Sequence, residues 1–261
     1  LYILTHVCLA VSMLCLLFTL MTYFSFPVLR SVAGMNNIFL CTSLLLAQGS
    51  LIASSHVTSP SRFCTALGMC THFLWLCMFA WSFTCCYHMF RIFTAKTRNV
   101  LNTSRSGRLH MLMKITLCSL APALLIAIVI ATVYFTSGGE RIGYGLQSCY
   151  LDSGFLVAVT VVLPIGLVLV CNGSFFFVTI FQISSVRKIQ KHGSFKKNDR
   201  KNMFIYIKLS TMTCTFWTLG IVAEAINNDP LRVIYIVLNG LQGVFIFMSY
   251  VCNKRVLHLY L

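Results

Sequence analysis

The stretch ILTHVCLAVSMLCLLFTLMTYFSF, residues 3–26, decides the class of fold. It is mostly apolar and contains no Asp, Glu, Lys or Arg. A helix of this length, rising about 1.5 Å per residue, crosses the roughly 30 Å hydrocarbon layer of a bilayer. The run is too long for the core of a signal peptide, and no small-residue cleavage pattern follows it. We therefore predict a membrane-spanning helix.

The rest of the chain has the same character. Of its 261 residues 58% are hydrophobic and 10% are charged, whereas a soluble domain carries about a quarter charged residues. Seven apolar segments are long enough to span a bilayer, and turn-like or charged stretches separate them. They cover about 3–26, 35–54, 63–93, 109–135, 154–183, 203–227 and 231–252. The sequence thus predicts an all-α membrane protein, a seven-transmembrane helix bundle in one domain over 1–261. Because the chain starts at Leu1, we expect a further segment to precede it.

The net charge is +15, and the basic residues responsible for it are concentrated on one side of the predicted membrane. Seventeen of the 20 Lys and Arg residues lie on one side; the other three are Arg62, Arg141 and Arg232. Cytoplasmic loops carry the excess of basic residues, so we predict an extracellular amino terminus. The charge indicates topology and contact with anionic membrane lipids or an acidic partner, and no nucleic-acid binding. In this orientation the glycosylation patterns at Asn102 and Asn172 carry no sugar, since neither reaches the outside.

Thirteen cysteines show no metal-ligand spacing, so no metal is expected. Only Cys64 and Cys149 lie near the outer face in polar surroundings. A disulfide between them would tie the second outer loop over the bundle mouth, and two free thiols are the alternative. The sequence lacks the nucleophile, zinc and phosphate motifs of enzymes, and we expect neither catalysis nor a cofactor.

Two motifs carry a family resemblance. Residues 238–247 read LNGLQGVFIF, and residues 64–81 of the third span place Cys64, His72-Phe73 and Trp81 at a recognisable spacing. Both resemble the adhesion receptors of the secretin superfamily of G-protein-coupled receptors (family B). Leu29–Gly34 and Phe90–Phe93 are similar to Methuselah-like and invertebrate adhesion receptors. The Asp-Arg-Tyr and Asn-Pro-x-x-Tyr motifs of rhodopsin-like receptors are absent.

The resemblance implies a receptor core in the plasma membrane that transduces an extracellular or tethered-peptide signal to a heterotrimeric G protein. The tethered agonist would lie just upstream of Leu1. The residues implied for the ligand pocket are His72, Trp75, Phe79, Tyr150, Trp217, Tyr235, Asn239 and Gln242. Those implied for the G-protein face are Arg91, Lys96, Arg187, Lys188, Lys208, Tyr250 and Lys254.

Several of these residues have a plainer interpretation. His72 either contacts ligand or donates to a backbone carbonyl. Asn239 and Gln242, three residues apart on one helical face, either bind ligand or join the sixth and seventh helices. Phe79 and Trp81 are expected in the bundle core.

Departures from the family pattern support a second hypothesis. Thr211 and Cys214 stand where the resemblance implies Pro and Gly, which weaken the sixth helix at its kink. We therefore expect a straighter sixth helix. The alternative function is an adhesion or scaffolding membrane anchor with weak or no G-protein signalling.

Overall fold

The structure, a computed structural model, describes residues 1–57, 61–97, 105–136, 144, 149–151, 153–189, 215–223 and 225–260. Its helices are α1 (Tyr2–Ser25), α2 (Val32–His56), α3 (Arg62–Thr97), α4 (Arg105–Thr136), α5, α6 (215–223), α7 (Asp229–Gly240), α8 (Gln242–Tyr250) and α9 (Lys254–Tyr260). In α5, Gly154–Val157 leads through a π-helical turn at Ala158–Val162 into Leu163–Ile189. Most of the span expected at 203–227, including Lys208, Thr211 and Cys214, lies outside the described residues.

The helices present the apolar surface that a bilayer requires. Within the described residues, four helical segments are long and apolar enough to cross a membrane, and α7 with α8 would make a fifth, bent span. Large apolar side chains such as Phe18, Leu125 and Phe177 point away from the protein. Such a surface is unfavourable in water and suits contact with lipid tails.

A tight connection joins α1 to α2. A 3₁₀ turn at Pro27–Leu29 follows α1, and Arg30 donates from Nε to the carbonyl of Tyr23 near the end of that helix, at 3.1 Å. Ser31 begins α2, and its hydroxyl accepts the N–H of Gly34 at 3.3 Å. A helix end leaves unpaired backbone groups, and these contacts satisfy some of them.

The segment predicted as one helix over 231–252 is two helices. A 44° bend at Leu241 separates α7 from α8. The N–H of Gly243 donates to the hydroxyl of Ser12 on α1, at 2.8 Å. A Cβ on Gly240 would lie 2.8 Å from the Cβ of Cys8, so glycine admits the close approach of α1. The bend also places Asn239 and Gln242 on different helices rather than on one helical face.

The core lies where α3 packs against α2, α4 and α5. Leu44, Met78, Phe79 and Ile246 are buried in its main cluster. Trp81 is also buried and stacks on Phe39, with ring centroids 4.5 Å apart. Helix α3 therefore lies at the centre of the described packing.

Candidate functional site

A disulfide fixes the loop between α4 and α5 to the start of α3. Cys64 and Cys149 are bonded across 85 residues of sequence, with their Cα atoms 4.9 Å apart. Closing a loop of this length removes freedom from the unfolded chain and stabilises the fold by about 4 kcal/mol. Of the two states that the sequence left open, the structure contains the disulfide.

The loop continues inward from that disulfide. Tyr144 forms an isolated antiparallel bridge with Leu151, and the Tyr144 side chain is only 1% exposed. A Cβ on Gly68 would lie 3.0 Å from the carbonyl oxygen of Cys149 and 3.3 Å from the Tyr144 ring. Glycine at position 68 therefore lets the loop lie directly on α3.

His72 joins this loop to α5. Its Nδ1 lies 2.7 Å from the Tyr144 hydroxyl, and its Nε2 lies 3.1 Å from the carbonyl oxygen of Thr160. A carbonyl only accepts, so Nε2 carries the proton, and in the neutral ring Nδ1 accepts from Tyr144. His72 thus donates to a backbone carbonyl, the plainer of its two interpretations.

The Thr160 carbonyl is available because of a proline. In an α-helix this carbonyl would accept from the N–H of residue 164, and Pro164 has none. Thr160 lies in the π-helical turn just before Pro164. In this turn the N–H of Leu163 donates to the carbonyl of Ala158, five residues back. The imidazole of His72 therefore donates to a carbonyl to which Pro164 cannot donate.

Below the loop, aromatic rings from three helices converge. The Trp217 ring centroid lies 5.2 Å from that of Trp75, 4.9 Å from that of Phe79 and 6.1 Å from that of Tyr235. Tyr150 from the loop meets the His72 ring edge to face, at 6.4 Å. We call these six rings (His72, Trp75, Phe79, Tyr150, Trp217 and Tyr235) the aromatic cluster.

Some polar groups at the aromatic cluster are hydrogen-bonded within the protein, and two are not. Within α7, Asn239 donates from Nδ2 to the Tyr235 hydroxyl at 3.2 Å. A Cβ on Gly220 of α6 would overlap the Tyr235 ring, so α6 and α7 are in close contact. Among the described residues, the buried Trp217 indole N–H and Asn239 Oδ1 have no hydrogen-bond partner. One donor and one acceptor are therefore left for a ligand or water.

The site is electrically neutral within the described residues. Burial raises the pKa of Tyr150 to about 12, and the nearby Tyr235 adds to that rise, so the phenol keeps its proton at physiological pH. Burial likewise raises the pKa of Tyr144. Asp229, the one acidic residue in the described part of the chain, lies exposed beside Arg232 at 3.2 Å. The described residues also contain no cluster of metal-binding side chains.

The residues predicted for the pocket lie together, with one exception. His72 and Tyr150 contact each other, and Trp217 contacts the other three rings, with Asn239 hydrogen-bonded to Tyr235. Tyr150 and Tyr235 are near enough to interact electrostatically. Gln242 lies beyond the Leu241 bend and is 3% exposed. Tyr144 and Thr160 also belong to this site, although no motif singles them out in the sequence; the proline four residues after Thr160 is the available signal for the latter.

The residues predicted for the G-protein face divide differently. Arg91 and Lys96 lie in the last turns of α3, Arg187 and Lys188 at the end of α5, and Lys254 at the start of α9. Tyr250 differs from these residues, because its side chain is 7% exposed and packs in the core cluster. Helix α8 turns this residue inward, beside Ile246, so it adds no exposed group to the inner surface.

Comparison with known proteins agrees with this architecture. The family described as "7 transmembrane receptor (Secretin family)" matches residues 1–246. Adhesion G protein-coupled receptor E3 of Homo sapiens is 27% identical over 255 residues, which cover 95% of this chain and 37% of that protein. Latrophilin receptor-like protein A of Dictyostelium discoideum is 24% identical over 259 residues, covering 97% of this chain and 79% of that protein. The chain spans 29% of the canine receptor E2 and 27% of the human receptor E1.

Proposed function

Because the chain belongs to the secretin family of seven-transmembrane receptors, we propose that it is the core of an adhesion-type receptor that couples an extracellular agonist to a heterotrimeric G protein. The chain is a multi-pass membrane protein, and this function places it in the plasma membrane. The agonist is a short apolar peptide, tethered upstream of Leu1 and freed to enter the outer mouth.

The aromatic cluster is the observation that carries this proposal. Its faces suit apolar side chains, and it offers no carboxylate among the described residues to a charged ligand. The free Trp217 N–H and Asn239 Oδ1 match the acceptor and donor of a peptide amide. A buried polar group without a partner costs about 1–3 kcal/mol, so an amide that pairs with both gains affinity and orientation.

The inner ends of the helices support the second half of the proposal. Basic residues occupy the end of α3, the end of α5 and the start of α9, so the cytoplasmic side of the proposed receptor is positively charged. An acidic surface of a G protein would be attracted to it, and such complementarity mainly speeds and orients association. Trp217 contacts Phe79 on α3, which links the agonist site to the helix that carries Arg91.

The test uses the full-length protein in cell membranes. GTPγS binding is measured for the unmodified receptor, Trp217→Phe, Asn239→Ala and the lipid-facing control Phe181→Ala, all at matched surface levels. We expect Trp217→Phe and Asn239→Ala to reduce agonist-dependent binding about tenfold, which corresponds to one lost buried hydrogen bond, and the control to leave it unchanged. Equal signalling by all four proteins would remove the cluster from the agonist site.

The sixth helix favours a second candidate, an adhesion or scaffolding anchor. Thr211 and Cys214 replace the residues that weaken this helix in the receptors it resembles. An anchor would reach the surface and support cell attachment, yet give no GTPγS binding with or without the upstream segment.

A further inference from the structure

We propose that a crevice between α3, α4 and α5 binds an acyl chain of an anionic phospholipid from the inner leaflet. The crevice encloses about 860 Å³, including its open side. Its walls include Phe83 from α3, Pro122 and Ala123 from α4, and Pro164 and Cys171 from α5. This proposal does not depend on the function proposed above.

The crevice exists because of the residues at its walls. Pro122 and Pro164 lack a backbone N–H and interrupt the ladders of their helices. Ala123 and Ala80 are small where helices face one another, and so they leave the space between the larger rings unfilled. A void in a packed interior costs stability unless something occupies it.

Its depth places the crevice among lipid tails. Pro164 lies ten residues into α5 and Phe83 lies 21 residues into α3, about 15 Å and 31 Å from the outer ends of those helices. The crevice therefore extends from near the middle of the bilayer into its inner half. Leu125 and Leu167, which are 63% and 60% exposed, lie on the same helices and continue the lipid-facing surface. Occupation from the bilayer requires no entry path through the protein.

The lining chemistry selects an acyl chain. The Cys171 sulfur is the only side-chain heteroatom among the described lining residues. A sterol hydroxyl would find no side-chain oxygen or nitrogen among the described lining residues, whereas a hydrocarbon chain loses nothing on entering and gains contacts with the walls.

Charge selects the headgroup. The inner parts of the same three helices carry seven basic residues: Arg91 and Lys96 in α3, Arg105, Arg108 and Lys114 in α4, and Arg187 and Lys188 in α5. Basic residues at the cytoplasmic surface attract anionic lipid, at about 1 kcal/mol each. A phospholipid held there by its headgroup can extend one chain upward into the crevice.

Phe79 gives this site a consequence for the bundle. Its ring lines the crevice and also lies 4.9 Å from the Trp217 ring. A chain that fills the crevice restricts Phe79 from the lipid side, and so it supports the aromatic cluster from below. The same side chain thus separates the lipid site from the outer mouth.

The test is photolabelling of the full chain in phosphatidylcholine nanodiscs that contain a trace of phosphatidylserine with a diazirine in its acyl chain. Labelled peptides are mapped for the unmodified protein, for Ala123→Phe, which fills the crevice, and for Leu125→Phe, which adds the same ring on the lipid side of α4. We expect labelling of the Phe83 and Cys171 peptides to fall about tenfold in Ala123→Phe, because the acyl chain would lose the burial of about two methylene groups. Labelling should stay unchanged in Leu125→Phe.

Competition on the unmodified protein tests the occupant without any variant. Excess unlabelled phosphatidylserine should displace the probe from these peptides, while phosphatidylcholine and cholesterol should not. Displacement by cholesterol alone would overturn the acyl-chain assignment, and equal displacement by phosphatidylcholine would overturn the headgroup assignment. Labelling spread evenly over lipid-facing residues such as Leu17 and Phe18 on α1 would overturn the site itself.

Discussion

The imidazole of His72 donates from Nε2 to the carbonyl of Thr160, 3.1 Å away, and Pro164, four residues further on, has no N–H that could pair with this carbonyl. The other ring nitrogen lies 2.7 Å from the Tyr144 hydroxyl. One side chain therefore connects α3, α5 and the outer loop. This arrangement makes His72 a positioning residue for the outer mouth.

Replacing His72 by Phe should destabilise the protein, because the Thr160 carbonyl and the Tyr144 hydroxyl both lose a buried partner. We expect the melting temperature in detergent to fall by roughly 5 °C. Pro164→Ala restores an N–H at residue 164, so His72→Phe should cost less in that background. An equal cost in both backgrounds would contradict the proposed role of the proline.

Replacing Cys64 or Cys149 by Ser should lower surface expression, because the outer loop loses its covalent attachment and about 4 kcal/mol of stabilisation. Cys70→Ser provides the matched control, since Cys70 is free and exposed on the same helix. Flow cytometry of surface protein gives the comparison, and peptide mapping of the unmodified chain should recover the two cysteines as one cross-linked pair.

Changing the contact between α1 and the bend should weaken the bundle. Ser12→Ala removes the acceptor of the Gly243 N–H and should cost about 1–3 kcal/mol. Gly243→Ala should cost more, because its Cβ would lie 2.7 Å from the Leu16 side chain as well as against Ser12. Ser54→Ala is the control, since that hydroxyl donates within its own helix to Leu51. Stability is measured by urea or thermal unfolding. An equal loss of stability in Ser54→Ala and Ser12→Ala would show that the bend does not need this hydrogen bond.

Neither glycosylation pattern should carry sugar in cells. Asn172 is buried within α5, and Asn102 lies on the side that the basic residues assign to the cytoplasm. Glycosidase treatment of the chain expressed alone should leave its mobility on a gel unchanged. A glycan mapped to Asn102 would reverse the orientation and with it the two faces of the bundle.

Weakening the sixth helix should increase basal signalling. Proline in a helix interior costs about 3 kcal/mol and favours a bend, so Thr211→Pro with Cys214→Gly should raise basal GTPγS binding at equal surface level. The single Cys214→Gly variant is the control: it removes the Cys214 side chain without introducing a proline. A double variant that reaches the surface and stays silent, even with a tethered peptide present, would favour the anchor function.

The membrane class, the receptor family and the approximate positions of α1 to α5 could be predicted from the sequence. The length of each apolar segment and the number of basic residues on each side of the membrane depend on local composition. The bilayer responds to both, because it requires apolar spans and favours basic residues in the cytoplasm. For the same reason α1 to α5 begin and end within a few residues of the expected bounds, with the α5 end, expected at 183 and observed at Ile189, the largest difference. The pairing of Cys64 with Cys149 also followed from membrane side, because it needed no knowledge of how the helices pack.

Only the tertiary structure decided how these elements meet. Gly240 and Gly243 flank the bend at Leu241 in the sequence, but the partner of the Gly243 N–H is Ser12, more than two hundred residues away, and local sequence cannot identify it. Tyr250 turned out to be buried for a similar reason: the direction of a side chain on α8 depends on the bend that precedes it. The link from His72 to Thr160 and Tyr144 joins three separate segments of the chain. Composition determines what must lie in lipid, whereas hydrogen bonds and close packing between distant segments determine which groups are satisfied inside it.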